Sequence, residues 1–535
     1  MNADGRAATG SARPIVLIGL ICAVSMTTID QTIVALSAPT IQRELGLTHD
    51  GIQWAVNVYL LAAAGVFMLG GRLSDLYGHR RLALIGIAAF AATSLLCGLA
   101  PSGEGAETWL VTARALQGAS GALMVPAAVG IVVQSYPQER RGRAMAIFFA
   151  ITGAMTAIGP IAGGFLTEWT WRSIFWVNLP IALVAFVLVA AGSGPSRRES
   201  GRIDVIGAVL VGAGMTLLVL GLEQAGSWGW NSVGVWITLI GGIVAVALFL
   251  IWEPRAADPL VRLAAFRSPQ FSIAILSVLV ASTAFVPAFF FLSVYGQVSL
   301  RQSALNTGLL FLKFFLGFVI ASRFGSVLFD RSGAKRVLLL GGACGATGFW
   351  MLAAQAPHLD FDAGMFFNSQ TAAIALAGAG IGFLYSPMST DAVNRAVGAS
   401  YGEVTALSQS ARSFGGALGL AVLGSLVSAA LQTHIVDSFT ALGIPAAAAR
   451  SAAQMVSGAD SGSDSALSAL PAELAKSVRT AVAQSYADAV QVAFAGMAVA
   501  MIVLVVLGVL YPSSRRATQS LLPTRRDGSV MREVA

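Results

Sequence analysis

GRLSDLYGHRR, Gly71 to Arg81, and SVLFDRSGAKR, Ser326 to Arg336, are two copies of one turn, 255 residues apart counted from Gly78 to Gly333. Asp75 aligns with Asp330, Gly78 with Gly333, Arg80 with Lys335 and Arg81 with Arg336. Each copy lies between two long apolar runs. A basic turn repeated between membrane-length segments marks a membrane chain built from two pseudo-equivalent halves. Of the 535 residues 56% are hydrophobic and 11% charged, whereas a soluble domain has about 25% charged residues. The apolar runs number about fourteen, and each is long enough to cross a bilayer core of roughly 30 Å. The expected fold is therefore all-α and integral to the membrane.

The spans group as 6 + 2 + 6. Six are expected within 15–192, two extra ones near 205–223 and 233–252, and six more within 271–511. Short tails flank them at 1–14 and 512–535, and GSGPSRRESGR at 192–202 marks a cytoplasmic linker over 193–204. A long extracytoplasmic loop is expected over 431–489. It contains SGADSGSDS, and Pro471 opens a helix with Lys476, Arg479 and Asp488 on its polar side. Two readings of this loop stay open, a linker with a solvated helical hairpin or a lid over the outer mouth.

The net charge of +7 does not indicate a nucleic-acid partner, because the basic residues alternate with the spans. Arg72, Arg80 and Arg81, then Arg140, Arg141 and Arg143, then Arg197, Arg198 and Arg202, then Arg255, Arg262 and Arg267, then Arg331, Lys335 and Arg336 all fall on one side. That side is expected to be cytoplasmic, with both termini, and anionic headgroups account for the basic balance. A plasma (inner) membrane location follows. Cys22, Cys97 and Cys344 lie inside spans without metal-ligand spacing, and His49, His79, His358 and His434 are far apart in sequence. There is no phosphate-binding loop, zinc-protease motif or nucleophile elbow, so neither an enzyme nor an ATP-driven pump is indicated. No metal or cofactor is expected.

GAMTAIGPIAGG, Gly153 to Gly164, fills the fifth span. Pro160 removes a helix hydrogen bond, and Gly153, Gly159, Gly163 and Gly164 permit close helix contact. RALQGASGALMVP (Arg114 to Pro126), TTIDQTIVALSAPTI (Thr27 to Ile41), WTWRSIFWVNLP (Trp169 to Pro180) and GEVTALSQSARSFGGALG (Gly402 to Gly419) occupy other spans. With the repeated turn, these motifs make nearly the whole chain resemble the fourteen-helix drug/proton antiporter branch of the major facilitator superfamily. The resemblance implies a major facilitator fold, alternating access driven by the proton gradient, and export of lipophilic drugs, antiseptics or secondary metabolites. It also implies that Gly71, Asp75, Gly78, Arg80 and Arg81, with Asp330 and Gly333, gate the conformational change. The fifth-span motif would form a hinge or seal. A transporter of a specific metabolite or nutrient stays open as the alternative, as does an accessory periplasmic adaptor where the envelope has two membranes.

Two charges fall deep in spans, where an ionisable group costs about 2.5–3.5 kcal/mol. At about 1.5 Å per residue, Asp30 lies roughly 22 Å from the inner face, and Arg114 about 21 Å up in a core of roughly 30 Å. Sharing a layer, Asp30 is the candidate proton carrier and Arg114 its modulator; a purely structural ion pair is the competing reading. Beyond Asp30 the core polarity is cationic. Lys313 and Arg412 favour an anionic or zwitterionic cargo, unless Lys313 snorkels or Arg412 only anchors a helix entrance. Glu223 reads as too shallow to meet cargo. Gln117, Tyr59, Phe290, Phe291 and Tyr385 complete the candidate substrate-binding set, with Tyr295, Phe314 and Phe315 as further aromatic walls. Packing or lipid exposure competes for each aromatic.

Overall fold

A computed structural model describes residues 12–136, 138–192, 194, 201–358, 369–395, 401–442, 445–447, 449–450 and 472–512. The repeat is visible in its helices. α2 (His49–Tyr77) and α11 (Ala304–Ser332) are both 29 residues long. Each starts at a hydroxyl cap: the Thr48 side chain accepts from the Gly51 N–H, and the Ser303 side chain from the Asn306 N–H. Each ends at a glycine with positive φ, 97° at Gly78 and 77° at Gly333. There a side chain would strain the backbone, so the reversal into α3 (His79–Gly98) and α12 (Ala334–Gln355) requires glycine.

The first half comprises α1 (Ala12–Leu45), α2, α3, α4 (Ala106–Ser135), α5 (Gln138–Trp169) and a sixth span made of the single turn α6 (Ser173–Trp176) and α7 (Asn178–Gly192). The second comprises α10 (Pro269–Val294), α11, α12, α13 (Ser369–Arg395), α14 (Tyr401–Ala441) and α15 (Ala472–Leu510). Between them lies the hairpin α8 (Val205–Trp228) and α9 (Val233–Trp252). Fourteen helical segments in the expected 6 + 2 + 6 order result, and among the described residues thirteen of them, all but α5, are long and apolar enough to cross a membrane.

The basic turns share one end of the bundle, called here the basic end. Arg80 Nη2 donates to the Ala190 carbonyl, 2.7 Å, at the close of α7. Lys335 Nζ donates to the Val509 carbonyl, 3.2 Å, at the close of α15. The aligned cations of the two turns thus each meet the unpaired carbonyls and negative dipole end of the last helix of their own half. Arg72, which Val327 replaces in the second copy, pairs instead with Asp258 at 2.9 Å and donates to the Arg202 carbonyl, tying the inserted hairpin to the first half. That hairpin packs α8 on α2 and α14. α9 is left mostly to lipid, with 17% of its apolar window buried against 72% for α10. Asp204 caps α8 through the Gly207 N–H and also accepts from Trp252 Nε1 at 3.0 Å, closing the hairpin.

The segment 431–489, expected to carry a loop with helical parts, is helical at both ends. α14 continues to Ala441, and α15 begins at Ala472 and runs unbroken into the last span. Ser438 and Ser485 bond across these extensions at 3.2 Å, and Leu431, Ile435 and Phe439 are buried, so the helices keep packing past the apolar run. SGADSGSDS and Pro471 lie outside the described residues, as do the tail 1–11, residues 195–200 of the linker and 513–535.

Candidate functional site

Asp30 lies near the middle of α1, fully buried. Arg114 reaches it from α4, and its Nη1 donates to Asp30 Oδ2. The same Nη1 donates to Gln117 Oε1 at 2.6 Å, and Nε donates to the Ala55 carbonyl of α2 at 3.1 Å. Gln117 lies one turn after Arg114 and donates from Nε2 to Asp30 Oδ1 at 2.9 Å and to Ser94 Oγ of α3 at 2.8 Å. Asn178, at the start of α7, donates to Asp30 Oδ1 at 3.5 Å and to Ser94 Oγ at 3.2 Å. Five elements of the first half thus converge on one carboxylate. The Arg114 guanidinium lies over the Tyr59 ring, 4.3 Å from its centroid. The approach of α4 to α2 makes this stack, because a Cβ at Gly118 would overlap the Tyr59 backbone carbonyl. A buried ion pair held by a ring of hydrogen bonds is stable only while each partner remains.

The α5 motif packs against two helices. A Cβ at Gly159 would fall on the Thr32 hydroxyl, and one at Gly163 would meet Ile33, so both glycines press α5 onto α1 beside Asp30. Thr32 Oγ1 donates to the Thr156 carbonyl across the same seam, 3.3 Å. Gly164 faces the other half, where an added Cβ would lie 2.8 Å from Leu305 Cα. The Pro160 carbonyl lies against Gly308 of α11. At this end, away from the basic turns, Ser293 Oγ and Gln297 Nε2 both donate to the Leu36 carbonyl at 2.6 Å, and Thr40 Oγ1 donates to Gln297 Oε1 at 3.3 Å. The halves are therefore in contact across the far end. Gly153 does not share in this: a Cβ there would meet open space, contrary to the close contact expected of it. α5 continues through Pro160 as one helix.

In the second half a small cavity lies between α10, α13 and α14, lined in part by Ser277, Ser282, Phe285, Tyr385, Met388 and Arg412. Arg412 stands 3.9 Å from the Tyr385 ring centroid and donates to Ser389 Oγ at 2.9 Å. It has no carboxylate within ion-pair distance among the described residues. Phe285 packs on Tyr385 at 5.5 Å and Phe318 on Tyr385 at 5.4 Å, extending an aromatic wall that includes Phe289, Phe314 and Phe315.

Five expected cargo residues do not line this cavity. Phe290 and Phe291 are fully buried and pack edge-to-face on each other at 5.3 Å, because the helical period turns them away from Phe285. Lys313 does not snorkel: it is 9% exposed, and its Nζ donates to Thr371 Oγ1 of α13 at 2.9 Å. Gln117 and Tyr59 belong to the Asp30 cluster. Of the turn residues, Asp75 lies 3.5 Å from His79 Nε2, Arg81 and Asp330 are exposed, and a Cβ added at Gly71 would lie 3.3 Å from Ala406 Cβ of α14. Ser94 and Asn178 were not expected from the sequence, since neutral polar residues inside apolar runs stand out less than charges do. Glu223 does not line the cavity; it is buried, and accepts from Asn57 Nδ2 at 2.7 Å and Gln53 Nε2 at 3.3 Å.

The family profile described as Major Facilitator Superfamily matches residues 20–420. The chain is 35% identical over 454 residues to the cephamycin export protein CmcT of Amycolatopsis lactamdurans, covering 82% of this chain and 92% of that protein. It is 32% identical over 481 residues to the tetracenomycin C resistance and export protein of Streptomyces glaucescens, covering 89% and 88%. Its similarity to the puromycin resistance protein pur8 of Streptomyces alboniger is 31% over 430 residues, covering 79% and 84%. Among solved structures, a bacterial homologue of the human lysosomal transporter Spinster superposes with a TM-score of 0.58 at 17% identity, covering 95% of this chain and all of that one, which establishes a shared fold. The helices, the repeated turn and these likenesses agree: this chain is a multi-pass membrane transporter, not an enzyme, and belongs to the major facilitator superfamily.

Proposed function

We propose that the protein is a proton-coupled exporter of lipophilic small molecules of the antibiotic or secondary-metabolite type, working by alternating access in the plasma membrane with both termini cytoplasmic. The observation that carries the proton-coupled part is the Asp30–Arg114 pair, buried at mid-helix where four other polar groups hold it. Protonating Asp30 removes the charge that Arg114 pairs with. The guanidinium must then find other partners, and the helices that supply them must shift. Asp30 lies beside the α1–α5 seam, and α5 also abuts α11, so such a shift would reach the contact between the halves. The named export relatives support efflux as the direction of transport.

The cavity at Arg412 and Tyr385 is the proposed cargo site. A guanidinium without a carboxylate beside an aromatic wall suits a molecule with an apolar body and an anionic or zwitterionic group. Everted membrane vesicles energised by respiration test the whole reading with a panel of cationic, neutral and anionic fluorescent probes. Uphill uptake of at least one probe, collapsing on addition of a protonophore and absent from Asp30→Asn at equal expression, is expected. Uptake indifferent to the protonophore would point instead to a facilitator for a specific metabolite.

A further inference from the structure

Glu223 belongs to the inserted hairpin, and nothing in the alternating-access account above uses it. It lies on α8 about five residues from the far-end terminus at Trp228, buried against α2 and α14. Its two carboxyl oxygens meet two neutral amides of α2: Asn57 Nδ2 at 2.7 Å on Oε2 and Gln53 Nε2 at 3.3 Å on Oε1. No Lys or Arg stands within ion-pair distance among the described residues. The charge that bears on it is Asp50, one turn nearer the end of α2, and it has the same sign. α14 presents Leu420 and Gly424 there, and neither carries a charge.

The amide partner explains how such a group persists. Asn57 is fully buried, and its Oδ1 has no hydrogen-bond partner while Nδ2 is engaged. A half-turn of the terminal amide exchanges the two atoms. With Glu223 ionised, Nδ2 donates to the carboxylate; with Glu223 protonated, the acid O–H donates to Oδ1 at the same separation. Arg114 offers Asp30 no such exchange, because a guanidinium has donors and no acceptor. An ionised carboxylate without a cation is costly in this setting, and a neutral acid bonded to an amide is not.

We propose that Glu223 is a second proton-binding site of the transporter, built by the inserted hairpin against α2 and loaded from the far end. A proton taken from water there neutralises the carboxylate, and the same proton leaves when the site reopens to water. Gln53 carries the change onward. It touches Glu223 on one side, and on the other it lies on Gly424, with Nε2 3.5 Å from the Leu420 carbonyl of α14. The role of this proton in the cycle rests on the proton-coupled reading above, but its binding is measurable without any cargo.

Infrared difference spectroscopy of the full chain in lipid nanodiscs, titrated from about pH 5 to about pH 9, should show a protonated-carboxyl C=O band that comes and goes. The band should persist in Asp30→Asn, be lost in Glu223→Gln, and shift its midpoint in Glu223→Asp. In the wild-type protein, dicyclohexylcarbodiimide, whose central carbon takes up the oxygen of a protonated carboxyl in apolar surroundings while a nitrogen takes the proton, should leave an adduct on Glu223 at the acid end of the range and none at the alkaline end. A titrating band in the Asp30→Asn background that survives addition of Glu223→Gln, or absence of the adduct at every pH, overturns the proposal. Uphill export that survives Asp30→Asn would remove the coupling role assigned to Asp30 and leave the Glu223 result standing.

Discussion

Each half of the transporter lays one arginine over one tyrosine, and the two pairs are finished differently. Arg114 over Tyr59 is closed off by Asp30, Gln117 and Ala55 and is 1% exposed. Arg412 over Tyr385 lines a cavity and has only a serine hydroxyl for a side-chain hydrogen bond among the described contacts. The residue 255 positions after Asp30 is Phe285, part of the aromatic wall. One half thus carries a compensated charge pair, the other a cation among aromatics with no carboxylate partner among the described residues. On the reading proposed above, energy coupling falls to the first half and cargo recognition to the second.

The largest effect that tests this division is on stability. Arg114→Ala leaves Asp30 buried without its cation and should cost about 3–5 kcal/mol, read as a lowered unfolding midpoint of the purified protein. The double variant Asp30→Asn/Arg114→Gln should recover most of it; no recovery would mean that Arg114 acts by packing alone. Arg412→Ala should cost much less in stability but weaken binding of an anionic cargo roughly tenfold, about 1.4 kcal/mol, and leave a neutral cargo nearly unaffected. Equal losses for both would take the charge out of recognition. Gly164→Val should overpack the α5–α11 contact by about 1–3 kcal/mol. It should raise thiol labelling of a cysteine placed at Leu36; unchanged labelling would show that the far-end contact is not strained by the substitution. The smallest expected effects are at the turns. Arg80→Ala and Lys335→Ala should each lose about 0.3–1 kcal/mol of helix-end stabilisation, and similar losses in the two halves would support their equivalence.

The repeat was legible because its signals are chemical. A glycine at the reversal and a cation after it are demanded by backbone geometry and by the carbonyl ends of α7 and α15. The capping pair Thr48 and Ser303 carried the same 255-residue offset and could have been found. That Asp30 and Arg114 lie at one depth was readable, since charges in apolar runs are few and helix rise converts position to height. Their hydrogen-bonded ring was less so: Ser94 and Asn178 look like ordinary interruptions. The burial of Glu223 was not readable because the apolar run ends there, whereas α8 continues to Trp228 and α2 and α14 cover the side chain. The run Phe289-Phe290-Phe291 shows a different gap. Consecutive helical residues point in different directions, and only the packing of α10 on α13 and α14 decides that Phe285 rather than Phe290 or Phe291 lines the cavity.

The account stands on Asp30 as the residue through which the proton gradient does work. The direct measurement is uphill transport in proteoliposomes under an imposed pH gradient, comparing wild type with Asp30→Asn at matched orientation and protein density. The prediction is that Asp30→Asn still equilibrates cargo down its own gradient but no longer accumulates it against one. Accumulation by Asp30→Asn to the wild-type level would contradict the account.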